Sequence, residues 1–392
     1  VPHHFNQCEM LYAKQRLHPE ALRAVLVKIQ THHDALRMCY SVRNNIVTQI
    51  NQDIDCPLDF EIVDLTNAEE AIQQLKSYAN TVQASIQLAT GPLMKVVLFQ
   101  LTDGDRLLIV IHHLVIDGLS WRILAADITQ GYQQYLSEEP LTLPAKTNAF
   151  KHWAEQIHHY SHSETLLAEK AYWNRLDAVQ TVPLPQDYPA MVQEARCVGD
   201  LRQVKFSLSE AQTNTLLTQT NQAYNTEIND ILLTALARAM QRWHGDNKTL
   251  IALEGHGREN ILDLDISRTV GWFTSLYPVL LELPDSDDLG YQIKYLKEML
   301  RGIPNKGIGY GLLKYVTAQE HKPEMAFNSR PQISFNYLGQ FDDAIDNTLF
   351  QLATELTGYS VSPHAELVHD LAIEGVVSQH QLQMSIAYNH NA

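Results

Sequence analysis

Apolar positions recur along this chain with two periods. Pro19-Glu20 opens a segment in which Leu22, Val25, Leu26 and Ile29 fall on one face of a helix, with Pro at the first turn where its missing N–H is no loss. Met94–Leu101 and Arg106–His112 are apolar runs joined by Thr102-Asp103-Gly104-Asp105, a hairpin signal. A turn, His112-His113-Leu114-Val115-Ile116-Asp117-Gly118, follows the second run. Then Trp121, Leu124, Ile128, Tyr132 and Tyr135 recur at helical spacing. Further helices are predicted near Lys151–Tyr160 and Leu166–Leu176, and a long one, apolar on most sides, over Ile228–His244. Thr249–Leu253, Val270–Leu283 and Pro331–Leu338 read as strands. Helices alternating with short apolar runs make an α/β chain. Glu138–Asn148, with two prolines and little periodicity, reads as the connection between two lobes, and Thr181–Pro189 is a second Pro-rich stretch.

The length, 392 residues, suits two lobes at roughly 150 residues per domain. We place them at 1–147 and 148–392. With 45% hydrophobic residues each lobe can bury a core. The 29 basic and 45 acidic residues give a net charge of −16, which argues against a nucleic-acid or anionic-membrane surface. Cys8, Cys39, Cys56 and Cys197 form no close pair and no zinc spacing, as expected of reduced thiols in a cytoplasmic protein. No apolar run approaches the roughly 18 residues of a membrane span; the longest, Leu107–Ile111 and Tyr277–Leu281, read as buried strands. The opening Val1-Pro2-His3-His4-Phe5 has no signal-peptide character and reads as the middle of a larger polypeptide.

Histidine doublets occur four times, so a doublet alone says little. His158-His159 reads as surface, and His32-His33-Asp34 as the end of a packed helix, because neighbours about 100° apart do not converge on one metal ion. His112-His113 ends a strand before a Gly-containing turn. A neutral imidazole is a natural general base near neutral pH, so His113 reads as a chemical group. His112 reads as supporting, and Asp117 as the cap of the next helix. In Glu254-Gly255-His256-Gly257-Arg258-Glu259 two glycines permit close backbone approach to a ligand. Glu254, following an apolar strand, is expected to be partly buried, which raises a carboxyl pKa and makes it a better proton carrier. A salt bridge from Glu254 to an arginine is the competing reading. Gly118-Leu119-Ser120-Trp121 lacks the second glycine of a nucleophile elbow, and there is no dinucleotide fingerprint, phosphate loop or zinc pattern. Gly307-Ile308-Gly309-Tyr310-Gly311 reads as a flexible loop near the site.

His112-His113-Leu114-Val115-Ile116-Asp117-Gly118 resembles the His-His-x-x-x-Asp-Gly signature of nonribosomal peptide synthetase condensation-type domains. The following Leu119-Ser120-Trp121-Arg122 looks like the epimerization branch. So do Glu254–Glu259, Thr269-Val270-Gly271-Trp272-Phe273-Thr274, Pro304–Gly311 and Phe335-Asn336-Tyr337-Leu338-Gly339-Gln340, in the family's order. Two departures stand at the ends. The Pro-Ile-Gln-x-Trp-Phe-like stretch upstream of Phe5-Asn6-Gln7 is missing, and the sequence stops soon after Ser385-Ile386-Ala387-Tyr388-Asn389.

The resemblance implies two chloramphenicol-acetyltransferase-like lobes forming a V-shaped pseudo-dimer, with the active site between them. It implies an aminoacyl or peptidyl thioester substrate on the 4'-phosphopantetheine arm of an upstream peptidyl carrier domain, with no cofactor bound by the chain itself and no metal. A downstream condensation domain would take the product. The reaction would invert the α-carbon, producing an L/D mixture. Inversion needs acid/base groups on both faces of that carbon, and His113 and Glu254 fit those roles. Donors for the enolate oxygen would come from backbone N–H groups after His113 or from Asn336 and Tyr337; Tyr337 as proton donor and Asn336 as a strand-holding residue are open alternatives. Gly118 and Asp117 are expected to be structural, Asp117 paired with an arginine such as Arg258. The alternatives are an amide-forming condensation domain, which has no need of Glu254, and a non-catalytic carrier-docking domain.

Overall fold

A computed structural model describes residues 3–186, 196–340 and 349–390, so the last part of Thr181–Pro189 lies outside the described residues. In chain order the strands are β1 (Asn6–Ala13), β2 (Met38–Arg43), β3 (Ile46–Asn51), β4 (Asp59–Asp64), β5 (Met94–Leu101), β6 (Gly104–His112), β7 (Leu201–Ser207), β8 (Lys248–Gly255), β9 (Ser275–Glu282), β10 (Ile333–Gln340), β11 (Gln351–Leu352), β12 (Leu371–Ser378) and β13 (Gln381–Asn389). Two compact units result. One holds the described residues of 3–153, 264–273 and 349–365; the other holds 154–186, 196–263, 274–340 and 366–390. The Pro-rich stretch Glu138–Asn148 lies inside the first unit, and the chain returns to that unit twice.

The first unit is built on a sheet of order β11-β1-β6-β5-β4, with β4 parallel to β5 and the other pairs antiparallel. All nine residues of β6 are buried, as an apolar run covered on both faces should be. The hairpin turn is tighter than predicted, because β6 already begins at Gly104. Its φ is +133°, and a Cβ there would sit 2.5 Å from the Ala13 carbonyl oxygen. Only glycine fits that approach. Helix α1 (Pro19–His32) starts at Pro19, where His18 Nδ1 accepts from the Ala21 N–H, and buries Leu22, Val25, Leu26 and Ile29 as the periodicity predicts. Its end is packed: His33 Nε2 lies 2.8 Å from Asp127, and no metal-ligand cluster occurs among the described residues. Helix α2 (Ala71–Ala84) and helix α3 (Gly118–Leu136) complete this unit's longer helices.

The second unit carries a sheet of order β7-β13-β12-β10-β8-β9, in which β10 runs parallel to both β8 and β12. Helix Ile228–His244 buries one stripe, Asp230, Leu233, Thr234, Ala237 and Met240, and leaves Trp243 exposed. It is amphipathic rather than apolar on most sides. Val270–Leu283 is not one strand: β9 starts only at Ser275, and the residues up to Phe273 belong to the first unit. Pro278 is tolerated in β9 because that strand is the sheet's edge. The predicted helix Leu166–Leu176 is two short ones, Glu164–Leu167 and Lys170–Asp177. At the break, Glu169 accepts from Trp173 Nε1 (2.9 Å) and Asn305 Nδ2 (2.7 Å). That carboxylate also explains the central glycine of the run. Ile308–Gly311 is a packed helical turn, not a flexible loop, and a Cβ on Gly309 would lie 2.0 Å from Glu169 Oε2.

Gly104→Ala should lose at least about 1–3 kcal/mol of stability from the strained φ alone, and more from the contact with Ala13. A thermal melt unchanged from wild type would show that the β5–β6 turn adapts.

Candidate active site

Burial of β6 delivers its last residues to the start of α3. His113 opens a three-residue 3-10 turn, and its backbone N–H donates to the Phe5 carbonyl (2.9 Å). The hydrogen bonds around its ring assign one tautomer. Nδ1 lies 2.9 Å from the Ile116 carbonyl, which only accepts, so Nδ1 carries the proton. Trp121 Nε1–H donates to Gln7 Oε1 at 2.9 Å, which turns the Gln7 amide nitrogen towards His113 Nε2 at 3.0 Å. Nε2 therefore presents its lone pair. Phe5 stacks on the imidazole at 5.3 Å with a 12° interplanar angle, and Trp272 lies 4.6 Å away. Burial holds the His113 pKa below the ordinary histidine value, so the ring is neutral and basic at pH 7.

The neighbours of His113 anchor the turn. His112 is buried, and its Nδ1 accepts from the Leu114 N–H at 3.2 Å; the Ile116 N–H bonds the His113 carbonyl at 3.4 Å. Those two backbone donors after His113 are thus engaged. Asp117 caps α3, accepting from Ser120 N (2.8 Å) and Ser120 Oγ (2.7 Å), and its second oxygen takes the Phe273 N–H at 3.1 Å. Ser120 Oγ, whose single proton goes to the closer Asp117, also lies 3.0 Å from the Gly271 carbonyl and receives the Gly271 N–H (3.1 Å). This knot straps Gly271–Phe273 over the turn and sets Trp272 on His113. Gly271 must be glycine, since a Cβ would meet Phe150 at 2.4 Å. At Gly118 a Cβ would meet nothing within 4 Å, so packing among the described residues does not require glycine there.

In the second unit, Glu254 is the penultimate residue of β8, half-buried rather than beyond the strand. The register Phe335↔Leu253 sets Asn336 beside it, and Asn336 Nδ2 donates to Glu254 Oε2 at 2.6 Å. One amide hydrogen of Asn336 is committed to that bond. Burial first, and the like charge of Glu374 second, push the Glu254 carboxyl up to about 7 against the lowering effect of Asn336. Strand alternation turns Tyr337 to the other face of the sheet, where its ring lies 3.3 Å from a Cβ built on Gly375. Arg258 follows in the loop, its N–H donating to His256 Nδ1 at 3.0 Å, and His256 pairs with Glu259 at 3.2 Å.

The Condensation domain family model matches residues 1–392. The chain belongs to the condensation-domain family. Among relatives of this condensation-family chain, surfactin synthase subunit 1 of Bacillus subtilis (strain 168) is 43% identical over 99% of the chain and 11% of the synthase. Gramicidin S synthase 1 of Brevibacillus brevis is 43% identical over 99% of the chain and 36% of its own length. The chain therefore spans between about a tenth and a third of these curated relatives. The solved epimerization domain from the third module of tyrocidine synthetase B superposes with a TM-score of 0.95 at 42% identity, covering 99% of this chain and 87% of that one. SgcC5 from Streptomyces globisporus, at 15% identity and a TM-score of 0.75 over 99% and 87% of the two chains, shares the fold. The fold is that of condensation domains, with two sheet-rich, chloramphenicol-acetyltransferase-like lobes. Among the described residues no helix is long and apolar enough to cross a membrane.

The motif histidine and its Asp117 lie in the first unit; Glu254, Asn336, Tyr337 and Arg258 lie in the second. Sequence reasoning did not single out Gln7, the Trp121 indole or Phe5 as partners of His113, or Glu374 as a neighbour of Glu254. Gln7 stood within the Phe5-Asn6-Gln7 landmark, but nothing local tied it to a residue 106 positions away.

Two outcomes follow from this condensation-domain geometry. Asp117→Ala removes a helix cap and leaves buried N–H donors unmatched, so denaturant unfolding should show a loss of roughly 2–5 kcal/mol. The raised Glu254 carboxyl gives a pH signature. Between its ordinary pKa and about 7 the folded chain holds a proton that the unfolded chain has released, so this group's contribution falls as pH rises through that window. Glu254→Gln should therefore melt higher than wild type at pH 8 and no higher at pH 4; an equal gain at both would contradict a desolvated carboxyl.

Proposed function

We propose that the chain inverts the α-carbon of an aminoacyl or peptidyl group held as a thioester on the phosphopantetheine arm of an upstream carrier domain. The product would pass to the condensation domain of the next module. One observation carries this reading: a neutral histidine whose Nε2 lone pair is fixed in place by its tautomer and accepts from Gln7, and a carboxyl that holds its proton to about pH 7, occur in one chain. The likeness to the tyrocidine synthetase B epimerization domain, at 42% identity, supports it, against 14% for the first condensation domain of the calcium-dependent antibiotic synthetase.

His113 Nε2 takes the α-proton after Gln7 yields its hydrogen bond, leaving an enolate. The Glu254 carboxyl returns a proton to the opposite face of that carbon. Imidazolium and carboxylate then exchange one proton each with water, which restores the starting pair. The reading requires both groups to reach one substrate carbon. Neutral His113 and protonated Glu254 are the forms each environment favours near pH 7, so His113 is assigned the base and Glu254 the acid. The reverse passage exchanges the roles. Asp117 has no proton-transfer role; it holds the turn that aims His113.

The test is an L-aminoacyl or L-peptidyl thioester on the carrier, incubated with the chain in heavy water and read for chirality and Cα deuterium. Wild type should yield D-product carrying deuterium. His113→Ala and Glu254→Gln should each slow this by roughly 10²–10⁴-fold while keeping the wild-type fold. Amide formation with an acceptor-loaded carrier, without exchange, would assign the chain to peptide-bond formation. Silence in both assays from a folded chain would make it a carrier-docking domain.

A further inference from the structure

The sheet of the second unit sets a polar row across five strands. Glu254 on β8 neighbours Asn336 on β10; Asn336 is in register with Glu374 on β12, Glu374 with Ser385 on β13, and Ser385 with Lys205 on β7. Strand alternation puts all five side chains on one face. At about 4.8 Å per strand the backbones of Glu254 and Glu374 lie roughly 10 Å apart, close to the screening length of physiological salt. Only the neutral Asn336 stands between them. From the other neighbour, β9, the residue opposite Glu254 is Leu276, which carries no charge. In its own loop His256 pairs with Glu259 at 3.2 Å and the Arg258 guanidinium stands four residues on, while Lys306, from a separate segment, lies 3.7 Å from Glu259. Desolvation by the surrounding sheet raises the Glu374 carboxyl above the ordinary glutamate value, and Lys205, the cation of the row two strands beyond it, acts the other way and favours its charged form.

We infer that Glu374 is a positioning residue for Glu254, its negative charge favouring the protonated form of the carboxyl two strands away. This rests on Glu254 being the proton donor of the proposed reaction. The like charge ranks second only to burial among the influences that raise the Glu254 carboxyl. Glu374 is itself exposed, at the border of a cavity of about 380 Å³ that Lys205, Leu338 and Ser385 also line. Its charge can therefore be varied without opening the core.

The experiment is a charge ladder at one position in the full chain: wild type, Glu374→Asp, Glu374→Gln and Glu374→Lys. Cα deuterium incorporation into a carrier-bound thioester is followed against pH. The alkaline limb of the rate profile should stay in place for Asp, fall by roughly half to one pH unit for Gln, and fall further for Lys. A merely structural role would not order the variants by charge. A limb unmoved across the four, or displaced without regard to charge, would overturn the inference. Carbon-13 NMR of glutamate-labelled protein titrates the Glu254 carboxyl without turnover, its signal assigned by loss in Glu254→Gln. If Glu254→Gln keeps wild-type exchange, the proton-donor reading fails, and the NMR midpoint still decides the coupling. An NMR midpoint equal in wild type and Glu374→Gln overturns the inference whatever the activity.

Discussion

A buried carboxylate cannot be left unmatched, and the first unit is organised around one. Asp117, 2% exposed, sits where β6 hands over to α3. Its oxygens accept from Ser120 N, Ser120 Oγ and Phe273 N. Each orphaned buried donor would cost about 1–3 kcal/mol, so helix start, histidine turn and the returning segment are held as one object. The aromatic wall of the site is a consequence. Trp272 reaches His113 because Gly271 and Phe273 on either side of it are bonded to Ser120 and Asp117. Arg268 on the same segment pairs with Asp127 of α3 at 2.5 Å, a second tie between that segment and the helix.

Acid and base arise here from one cause acting on two kinds of group. Desolvation disfavours charge whatever its sign. It lowers the pKa of a cationic acid and raises that of a neutral one, so His113 is kept as imidazole and Glu254 as carboxylic acid. No specific counter-ion is needed to set either state. What the surroundings add is direction. Ile116 and Gln7 fix which ring nitrogen carries the proton and which accepts, and Asn336 occupies one carboxyl oxygen of Glu254.

Much of the fold is legible locally. The periodicity of α1, the β5–β6 hairpin and the helix after the histidine turn are present in runs of under twenty residues, because a helix or strand that buries one face must show it in its spacing. The errors have a shared origin. Val270–Leu283 looks like one apolar strand, yet its first residues serve the other unit. Ile308–Gly311 looks mobile for its glycines, yet Gly309 is there because the Glu169 carboxylate occupies the space of a side chain. Apolarity and glycine content record burial and close approach; neither says what is approached.

The sequence by itself determined the elements, the family resemblance and the two residues with the chemistry of a base and an acid, since those depend on residue type and short spacing. Only the tertiary structure decided their states. The tautomer of His113 depends on Ile116 and on Gln7, the latter brought alongside by the β1–β6 ladder. The proton affinity of Glu254 depends first on its burial in the sheet and then on Glu374, brought near through the parallel pairings of β8, β10 and β12. Electrostatic energies follow distance and solvent exposure, and both are properties of the folded chain rather than of position along it.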